Sequence, residues 1–380
     1  MPFTFLHQRL AAALTKREVS GTRRALAPPM AGLVDFSSND YLGLSRHPAV
    51  QEAQRVVAPA GSTGSRLLTG DSAAAQALET QLAHFHRAEA ALLFNSGYTA
   101  NLGFFATIPQ RGDTILYDTD SHASVKEGIH ASQATGWSFR HHDLADLERK
   151  LARATGSVFV AVEALYSMGG DMAPLAELAE FCQRRGLHLV VDEAHSNGIY
   201  GPRGEGLVVE LGLESAVFAR ILTFGKALGS QGAAIVGPAV VRDYLLNFCR
   251  AFIYTTALPP LTIAGLTAAY HLLPTLATER AELFRRSDHL KKVLGALPGL
   301  RVPAESHVIH PVFFTHRPGP EQVRQLAATV RAAGFDGRAI VAPTVPAGTE
   351  RLRLIVHAFN TDAQIEGLAK ALTQSALFTA

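Results

Sequence analysis

The sequence has little cysteine, little net charge and no continuous apolar run at its start, and each shortage excludes a class of protein. Its 380 residues include two cysteines, Cys182 and Cys249, which make no disulfide framework and lack the spacing of a metal site. Buried reduced thiols are therefore expected. The 35 basic and 33 acidic residues leave a formal net charge of +2, so composition gives no electrostatic argument for binding to nucleic acid or to a membrane surface.

The first 24 residues place Arg9, Lys16, Arg17 and Arg23 among the apolar residues, which is unlike a signal peptide or a spanning helix. A cytoplasmic protein is expected. What the chain does have is size and apolar content. A single hydrophobic core stops growing near roughly 250–300 residues, so the length predicts a large core and a second lobe. Hydrophobic residues make up 47% and charged residues 18%, as in an ordinary globular enzyme.

The apolar spacing from Phe3 to Leu14 predicts an amphipathic helix, an arm that packs on a partner or on the body of the protein. A break at Pro28 and Pro29 follows. Buried strands then alternate with helices, which predicts a parallel sheet with right-handed crossovers. Beyond Pro298, short strands and two helices predict a compact α+β lobe. Four histidines, His84, His86, His141 and His142, are expected to cap helices or to face solvent.

One lysine lies in a glycine-rich turn between two apolar runs. Residues 223–232 read TFGKALGSQG and separate the apolar residues 217–222 from 233–236, which places Lys226 between two buried strands. An ammonium there must be solvated, paired or deprotonated. Because desolvation and nearby cations lower the pKa of a lysine, its neutral amine can form a Schiff base with a carbonyl such as that of pyridoxal phosphate. The alternative is an ordinary exposed loop lysine.

An aspartate follows the strand before that turn. Residues 187–191, LHLVV, form a predicted buried strand that ends in Asp192 and continues as EAHSNG. Parallel α/β sheets place ligand groups at the carboxyl ends of their strands. A fixed carboxylate there suits pyridoxal phosphate, because an anion keeps the ring nitrogen protonated and lets the ring act as an electron sink.

Together, the segments around Asp192 and Lys226 resemble those of the α-oxoamine synthases, a family of fold-type I pyridoxal-phosphate enzymes, and the resemblance runs from about Asp35 to Leu372. It implies an α/β fold, with a mostly parallel central sheet in a large domain and a smaller α+β C-terminal domain. The expected divisions are 1–45 for the N-terminal arm and the segment after it, 46–285 for the large pyridoxal-phosphate domain and 286–380 for the C-terminal domain. It also implies a homodimer with shared active sites.

Seven more segments are similar to family motifs. They are VDFSSNDYLGL at 34–44, GSTGSRLLTG at 61–70, NSGYTAN at 95–101, DSHAS at 120–124, EALYSMGGD at 163–171, YTTALPP at 254–260 and PTVPAG at 343–348. The resemblance implies that the catalytic residues are Lys226, Asp192, His195 and His122. It implies that the cofactor contacts are Gly97, Tyr98, His122, Glu163, Ser167, Asp192, His195, Thr223, Lys226, Thr255 and Thr256.

The resemblance also implies how the cofactor is held. His122 stacks on the pyridine face and His195 bonds the phenolic oxygen. The amides of Gly97 and Tyr98 hold the phosphate, in a strand–turn–helix start that is an anion site on physical grounds as well. A plain helix cap is the alternative for these two residues.

Four further residues are placed near the substrate or the partner subunit. By resemblance, Asn39 lies near the substrate, with an Asx-turn as the alternative. Arg353 anchors the amino-acid carboxylate, a task that suits a planar guanidinium, and the alternative is a solvated strand residue. Thr255 and Thr256 reach the phosphate of the neighbouring subunit, which makes a dimer necessary for activity.

The activity implied is condensation of an amino acid, with L-alanine favoured, with an acyl-CoA thioester, releasing CoA and carbon dioxide. The motifs favour the branch of 8-amino-7-oxononanoate synthases of biotin synthesis, which use a pimeloyl-type chain. That branch often carries an arginine where this chain has Val341, so the acyl carboxylate has lost one partner. Arg17, Arg23 or Arg24 of the arm are candidates to replace it.

Three alternatives stay open on the sequence. One is a related α-oxoamine synthase that uses glycine or serine and another acyl-CoA. Another is a fold-type I aminotransferase, which would share Asp192 and Lys226 but need no CoA. The third is a non-catalytic partner subunit, against which the presence of Lys226 argues.

Overall fold

The computed structural model describes residues 4–26, 32–314 and 319–374 of the chain. Phe3 and the predicted break at Pro28 and Pro29 lie outside these ranges. The chain divides into two compact units, and each is described by itself. The large unit consists of Asn39–Ser167 and Asp171–Glu282, and the small unit of Met1–Ser38, Met168–Gly170 and Leu283–Ala380. The divisions expected after residues 45 and 285 stay a prediction.

Helices and strands alternate along most of the described chain. The α-helices are α1 (Thr4–Val19), α2 (Pro48–Arg55), α3 (Ala73–Phe85), α4 (Gly97–Thr107), α5 (Ala123–Ala131), α6 (Leu144–Leu151), α7 (Leu175–Arg185), α8 (Leu207–Glu210), α9 (Ala239–Phe248), α10 (Arg250–Ile253), α11 (Pro260–Leu272), α12 (Ala277–Gly295), α13 (Pro320–Ala332) and α14 (Asp362–Thr373). The strands are β1 (Val34–Asp35), β2 (Ala90–Phe94), β3 (Thr114–Asp118), β4 (Thr135–Phe139), β5 (Val158–Glu163), β6 (His188–Asp192), β7 (Ala219–Thr223), β8 (Ala233–Gly237), β9 (Leu300–Arg301), β10 (Ile309–Phe314), β11 (Phe335–Asp336), β12 (Arg338–Ile340) and β13 (Arg351–Ile355).

The large unit is built around a seven-stranded sheet with the spatial order β2-β8-β7-β6-β5-β3-β4. All of its strands run parallel except β8, which is antiparallel to both of its neighbours. This confirms the predicted mostly parallel sheet. Most strand residues are buried, as expected for a parallel sheet that is covered on both faces.

The ends of the helices follow local signals in the sequence. The side chain of Ser72 accepts a hydrogen bond from the amide of Ala75 and so caps the start of α3. Helix α7 begins after Pro174 and ends at Gly186, which has a positive φ of 66°. A left-handed glycine just after the last turn is a common helix end, because glycine has no Cβ to clash.

The core of the large unit packs sheet residues against helices α4, α5, α9 and α10. Its aromatic members are Phe94, Phe104, Phe105, Phe159 and Phe252. Burying one such side chain stabilises the fold by roughly 1.5–3 kcal/mol. Both cysteines are buried and unpaired, as predicted, and burial raises the pKa of Cys182 to about 12.

The small unit is an α+β lobe, as predicted. A four-stranded antiparallel sheet has the order β12-β13-β10-β9, and a short parallel pair joins β1 to β11. Helix α13 packs against α14 and against β12. The N-terminal helix α1 runs to Val19, farther than predicted, and exposes Leu6, Leu10 and Leu14. Within the described ranges, no helix has the length and apolar character needed to cross a membrane.

Candidate active site

The parallel strands of the large unit end at one edge of its sheet, and the predicted site residues follow those ends. Glu163 is the last residue of β5 and pairs with Asp192, the last residue of β6, which in turn pairs with Ile221 on β7. The turn that carries Lys226 follows β7, and the loop that carries His122 follows β3. Because parallel strands present their carboxyl ends together, residues far apart in the chain become neighbours.

The turn around Lys226 is held by backbone hydrogen bonds. The amide of Phe224 donates to the carbonyl of Gly232 at 3.0 Å, and that of Ser230 donates to the carbonyl of Phe224 at 2.9 Å. Gly229 has a φ of +60°, and a Cβ there would lie 2.1 Å from the amide nitrogen of Ser45. A glycine is therefore required, and the half-buried lysine is carried by a rigid loop.

Asp192 is a buried carboxylate with both oxygens fixed. Its Oδ2 accepts a hydrogen bond from Nδ2 of Asn101 at 2.7 Å, and its Oδ1 accepts one from the amide of Ala194 at 2.9 Å. The same Nδ2 of Asn101 lies 3.1 Å from Oγ of Ser124. Asn101 and Ser124 were not predicted as site residues, although both lie within segments that match family motifs.

His122 connects Glu163 to this network. The amide of His122 donates to Oε1 of Glu163 at 2.6 Å, and Nδ1 of His122 lies 2.7 Å from Oγ of Ser124. A continuous chain of contacts thus runs from Glu163 through His122 and Ser124 to Asn101 and Asp192.

Burial and neighbouring charges change the protonation of two of these groups. Burial, and then the negative charge of Asp192, raise the pKa of Glu163 to about 8, while the charge of Lys226 acts in the opposite direction. Desolvation lowers the pKa of His122, as does the charge of Lys226, against the influence of Asp192. Near neutral pH, the carboxyl of Glu163 and the imidazole of His122 are therefore mainly uncharged.

His195 follows Asp192 by three residues and is also buried. Its Nδ1 lies 2.6 Å from the hydroxyl of Tyr41, and that hydroxyl lies 3.4 Å from Oδ1 of Asn39. The structure therefore places Asn39 beside Tyr41 and His195 in the large unit. Tyr41 was missed as a site residue, although it stands two positions after Asn39 in the motif SSNDYLG.

The start of α4 forms a cradle for an anion. Ser96 and Thr99 cap the helix reciprocally, while Gly97 and Tyr98 occupy the first two helical positions, where an α-helix offers no internal acceptor for the amides. A Cβ on Gly97 would lie 2.3 Å from Oγ1 of Thr223, so only glycine allows this close approach.

Asn95 holds the two other threonines beside that cradle. Its Nδ2 donates to Oγ1 of Thr255 at 3.2 Å and to the carbonyl of Thr256 at 2.6 Å. A helix start lined by hydroxyls, together with Lys226 and a buried carboxylate, fits the phosphate, aldehyde and ring nitrogen of pyridoxal phosphate.

Ser167 and Arg353 are the two remaining predicted residues. Ser167 is half-buried and ends the segment of the large unit that begins at Glu163. Arg353 belongs to the small unit, where β13 pairs it with Pro311 on β10 and with Arg338 on β12. It is 9% exposed, so the alternative of a solvated strand residue is wrong. The structure thus brings Glu163, His122 and Asp192 together near the charge of Lys226, and it groups His195 with Asn39. The roles of Ser167 and Arg353 stay predictions.

The expectation that His141 and His142 face solvent is wrong. His141 is half-buried between two carboxylates, with Nδ1 2.9 Å from Asp118 and Nε2 2.8 Å from Asp171. The ring of His142 stacks on it at 3.7 Å. These acids come from other loops, so the sequence around the two histidines does not show them.

His86 is the C-cap residue of α3, as one of the two expected roles required, whereas the alternative of solvent exposure is wrong. It is fully buried, and its ring nitrogens lie 2.8 Å from the carbonyl of Glu205 and 3.1 Å from the hydroxyl of Tyr270.

A mostly parallel sheet with a lysine, a buried aspartate and an anion cradle at one edge defines the fold-type I class of pyridoxal-phosphate enzymes. The family model for aminotransferase class I and II matches residues 31–372. An 8-amino-7-oxononanoate synthase of Emericella nidulans is 40% identical over 394 aligned residues, which cover 97% of this chain and 95% of that protein.

Two solved structures show the same fold. A variant of serine palmitoyltransferase from S. paucimobilis with bound pyridoxal phosphate and myriocin has a TM-score of 0.89 at 29% identity, covering 100% of this chain and 99% of that one. An 8-amino-7-oxononanoate synthase from Francisella tularensis has a TM-score of 0.77 at 26% identity, covering 91% and 98%. The chain belongs to the α-oxoamine synthases, pyridoxal-phosphate-dependent acyltransferases within the aminotransferase class I and II family.

Proposed function

We propose that the protein catalyses the decarboxylative condensation of L-alanine with a pimeloyl-type acyl-CoA, the reaction of 8-amino-7-oxononanoate synthase in biotin synthesis. The products are the amino-oxo acid, CoA and carbon dioxide. The observation that carries the proposal is the placement of Asp192 and Lys226 at and just after the ends of the adjacent strands β6 and β7, in a chain that is 40% identical to such a synthase over nearly its whole length. The resemblance of the motifs to the same branch supports it.

The residues of the large unit divide the chemistry among them. Bound pyridoxal phosphate supplies the electron sink for the pair that is freed at Cα. Lys226 would hold the cofactor and, once the amino acid has displaced it, would take the Cα proton at Nζ. Asp192, fixed by Asn101 and Ala194, would keep the ring nitrogen protonated. The amides of Gly97 and Tyr98 would bind the phosphate with Thr223 beside them, and Thr255 and Thr256 would reach the phosphate of the neighbouring subunit.

The residues around the cofactor would control its orientation and the positions of nearby protons. His122 would lie on the ring face, and its uncharged imidazole suits contact with a ring that must accept electrons. His195 would bond the phenolic oxygen, and its contact with Tyr41 fixes the direction of its ring. Glu163 and Ser167 would face the cofactor from the loop after β5. A protonated Glu163 adds no second negative charge beside Asp192.

The arm supplies a candidate cation for the acyl carboxylate in place of the arginine that Val341 replaces. Nη2 of Arg24 donates to Oγ1 of Thr344 at 3.3 Å, three residues from Val341 in the small unit. Arg23 is paired with Glu18 at 2.7 Å and so is already neutralised. Arg24 therefore fits this role better than Arg23, and a guanidinium can bind a carboxylate through two parallel hydrogen bonds.

Acyl-CoA thioesters of different length and terminal charge, each offered with alanine, glycine or serine, test the proposal by thiol release. The pimeloyl thioester with L-alanine should give the highest kcat/KM. Thiol release from uncharged acyl chains alone, or with serine alone, would assign another α-oxoamine synthase activity. Transamination of alanine without thiol release would overturn the synthase assignment.

Arg353 is proposed to anchor the carboxylate of the amino acid. In the Arg353→Ala variant, the KM for alanine should rise by roughly 10- to 100-fold, since a charged hydrogen bond contributes about 1.5–3 kcal/mol, while the KM for the thioester stays near the wild-type value. Arg351 is the matched control, because its guanidinium packs on Phe313 and donates to the carbonyl of Met168. Equal effects on both KM values would assign Arg353 a structural part.

We also propose a homodimer with shared active sites. Residues 254–260, which by resemblance reach the neighbouring subunit, pack against the motif at 61–70, where the amide of Ala257 donates to the carbonyl of Gly64 at 2.9 Å. Beside them Leu68 and Tyr254 are 79% and 74% exposed, and a partner subunit would cover them. Sedimentation of the holoenzyme tests the dimer.

The two buried, unpaired cysteines support the proposed cytoplasmic location, a reducing compartment.

A further inference from the structure

We propose that His141 is a positioning residue, a cross-link between two carboxylates that holds the loops carrying His122 and Glu163 in register. The His141 clamp is defined as Asp118, His141 and Asp171. The inference rests on the proposed roles of His122 and Glu163 in the function above.

The clamp joins three separate loops at the carboxyl edge of the sheet. Asp118 is the last residue of β3, His141 follows β4, and Asp171 lies in the loop after β5. Each ring nitrogen of His141 faces one carboxylate, at 2.9 Å for Asp118 and 2.8 Å for Asp171. A single imidazole thus bonds one carboxylate at each end, through its two ring nitrogens. A glutamine or asparagine side chain has only one nitrogen and cannot do the same.

The ring of His141 is also confined on its sides. The ring of His142 stacks on one face at a centroid distance of 3.7 Å, and the ring of Tyr166 meets it edge-on at 4.6 Å. The amide of Tyr166 donates to the backbone carbonyl of Asp171 at 2.9 Å, which closes the loop between these two residues. The imidazole therefore has little freedom to rotate.

The charge of the clamp suits a permanent cross-link. Burial alone would lower the pKa of His141, but its hydrogen bonds to Asp118 and Asp171 outweigh that effect and raise the pKa to about 10. Burial acts against ionisation of the two acids as well, yet the bonds from His141 lower both of their pKa values. An imidazolium between two carboxylates is therefore present throughout the neutral range.

Both loops tied by the clamp lead directly into the site. Four residues after Asp118, the amide of His122 donates to Oε1 of Glu163 at 2.6 Å. Asp171 closes the loop that starts at Glu163 and contains Ser167. Loss of the clamp would free both loop ends and so change the distance between His122 and Glu163. A displacement of about 1 Å at a site can reduce a rate roughly 10²-fold.

A metal ion is the competing occupant, since ligand atoms of Asp118, His141 and His142 lie within 4.8 Å of one another. The contacts favour protons instead. Both nitrogens of His141 already face carboxylate oxygens at hydrogen-bond distance, whereas a metal ligand must offer a nitrogen lone pair.

The test compares His141→Phe and His141→Gln with the wild-type holoenzyme. His141→Phe keeps a ring for the contacts with His142 and Tyr166 but removes both bonds, whereas His141→Gln retains one. We expect the absorbance band of bound pyridoxal phosphate, and the midpoint of its pH titration, to shift in both variants. We expect kcat to fall roughly 10- to 100-fold in His141→Phe and less in His141→Gln, with the KM for the thioester changed less than threefold.

His142→Asn is the matched control, because asparagine tolerates the positive φ of 57° at this position and removes the stacked ring while leaving both hydrogen bonds of His141 in place. Its cofactor spectrum should match the wild type. If His141→Phe fails to fold, Asp171→Asn removes one end of the clamp and should shift the spectrum in the same direction.

Two results would overturn the inference. One is a lower melting temperature in the His141 variants with an unchanged cofactor spectrum and kcat, and the other is a stoichiometric metal ion in the purified wild type. The cofactor spectrum needs no acyl-CoA, so the clamp is judged separately from the proposed reaction. A wild type that releases no thiol from any acyl-CoA would refute the proposed function alone.

Discussion

Asp192 and Glu193 are adjacent acids at the end of β6, but one lies beside the candidate site and the other is buried away from it. Asp192 faces Asn101 and the chain of contacts that includes His122 and Glu163. Glu193 is fully buried with Arg220, whose Nη1 lies 3.8 Å from its Oε2, and its Oε1 accepts a hydrogen bond from the amide of Val208 at 2.9 Å. We call these the site network and the sealed cluster.

The sealed cluster contains buried charged groups that have no part in the proposed reaction, and burial shifts their pKa values. Burial raises the pKa of Glu193, although the charge of Arg220 acts against it, and burial lowers the pKa of Arg220. The cluster extends to His86, where burial and then the charge of Arg220 lower the pKa to about 3. Such groups make the fold sensitive to loss of one partner. Groups of the site network instead remain next to a site where a ligand can bind.

The largest effect is expected at the lysine of the site. Lys226→Ala should reduce thiol release at least about 10³-fold, because both the covalent hold on the cofactor and the general base are lost. The free energy of unfolding in urea should change by less than about 1 kcal/mol, since a half-buried loop side chain is removed. Lys370→Ala is the control, as this lysine is exposed in the last turn of α14, in the small unit. Product formation by Lys226→Ala would refute its role.

The next largest loss of activity is expected in the Asp192→Asn variant. The amide has the same shape but no negative charge, so kcat should fall about 10²-fold or more while pyridoxal phosphate still binds. Glu193→Gln, the neighbouring change, should alter kcat less than about threefold. If the two variants lose activity equally, the division between site network and sealed cluster is wrong. Steady-state rates per bound cofactor make the comparison.

The Arg220→Met variant should lose stability while it keeps its rate, the reverse of Asp192→Asn. It leaves Glu193 buried without its cation, and the loss of one partner of a buried pair costs about 3 kcal/mol of unfolding free energy. The rate per folded, cofactor-bound enzyme should stay near that of the wild type. Urea unfolding and active-site titration separate the two quantities. A loss of rate at unchanged stability would place Arg220 in the site network.

The last effect is a pH dependence of stability in the sealed cluster. The pKa of His86 falls from 6.5 to about 3 on folding, so the unfolded chain binds a proton more readily between these values. Stability from this group is therefore complete above pH 6.5 and is lost as the pH falls towards 3. His86→Gln, which carries no titrating group, should lose less stability than the wild type between pH 6.5 and 4. Parallel curves would contradict this.

Local sequence patterns predicted the strands, the helices and the loops that bear the site. Apolar runs such as 187–191 predict buried strands, and the chemistry of a lysine or an acid just after such a run indicates a ligand edge. The same reasoning could not identify Asn101, Ser124 or Tyr41 as site residues. Each is an ordinary polar residue whose importance comes from a partner 23 to 154 residues away.

The histidines show most clearly where prediction from the sequence stops. The local motif around His122 predicts it as a site residue, whereas local sequence does not predict the burial of His86 or the carboxylates around His141.

The sequence by itself determined the order of strands and helices and the residue types available at each strand end, because those depend on local spacing and backbone preference. Only the tertiary structure decided which of two adjacent acids joins the site and which is sealed beside an arginine. Successive residues at a strand end point to opposite faces of the sheet, and what covers each face is supplied by distant parts of the chain.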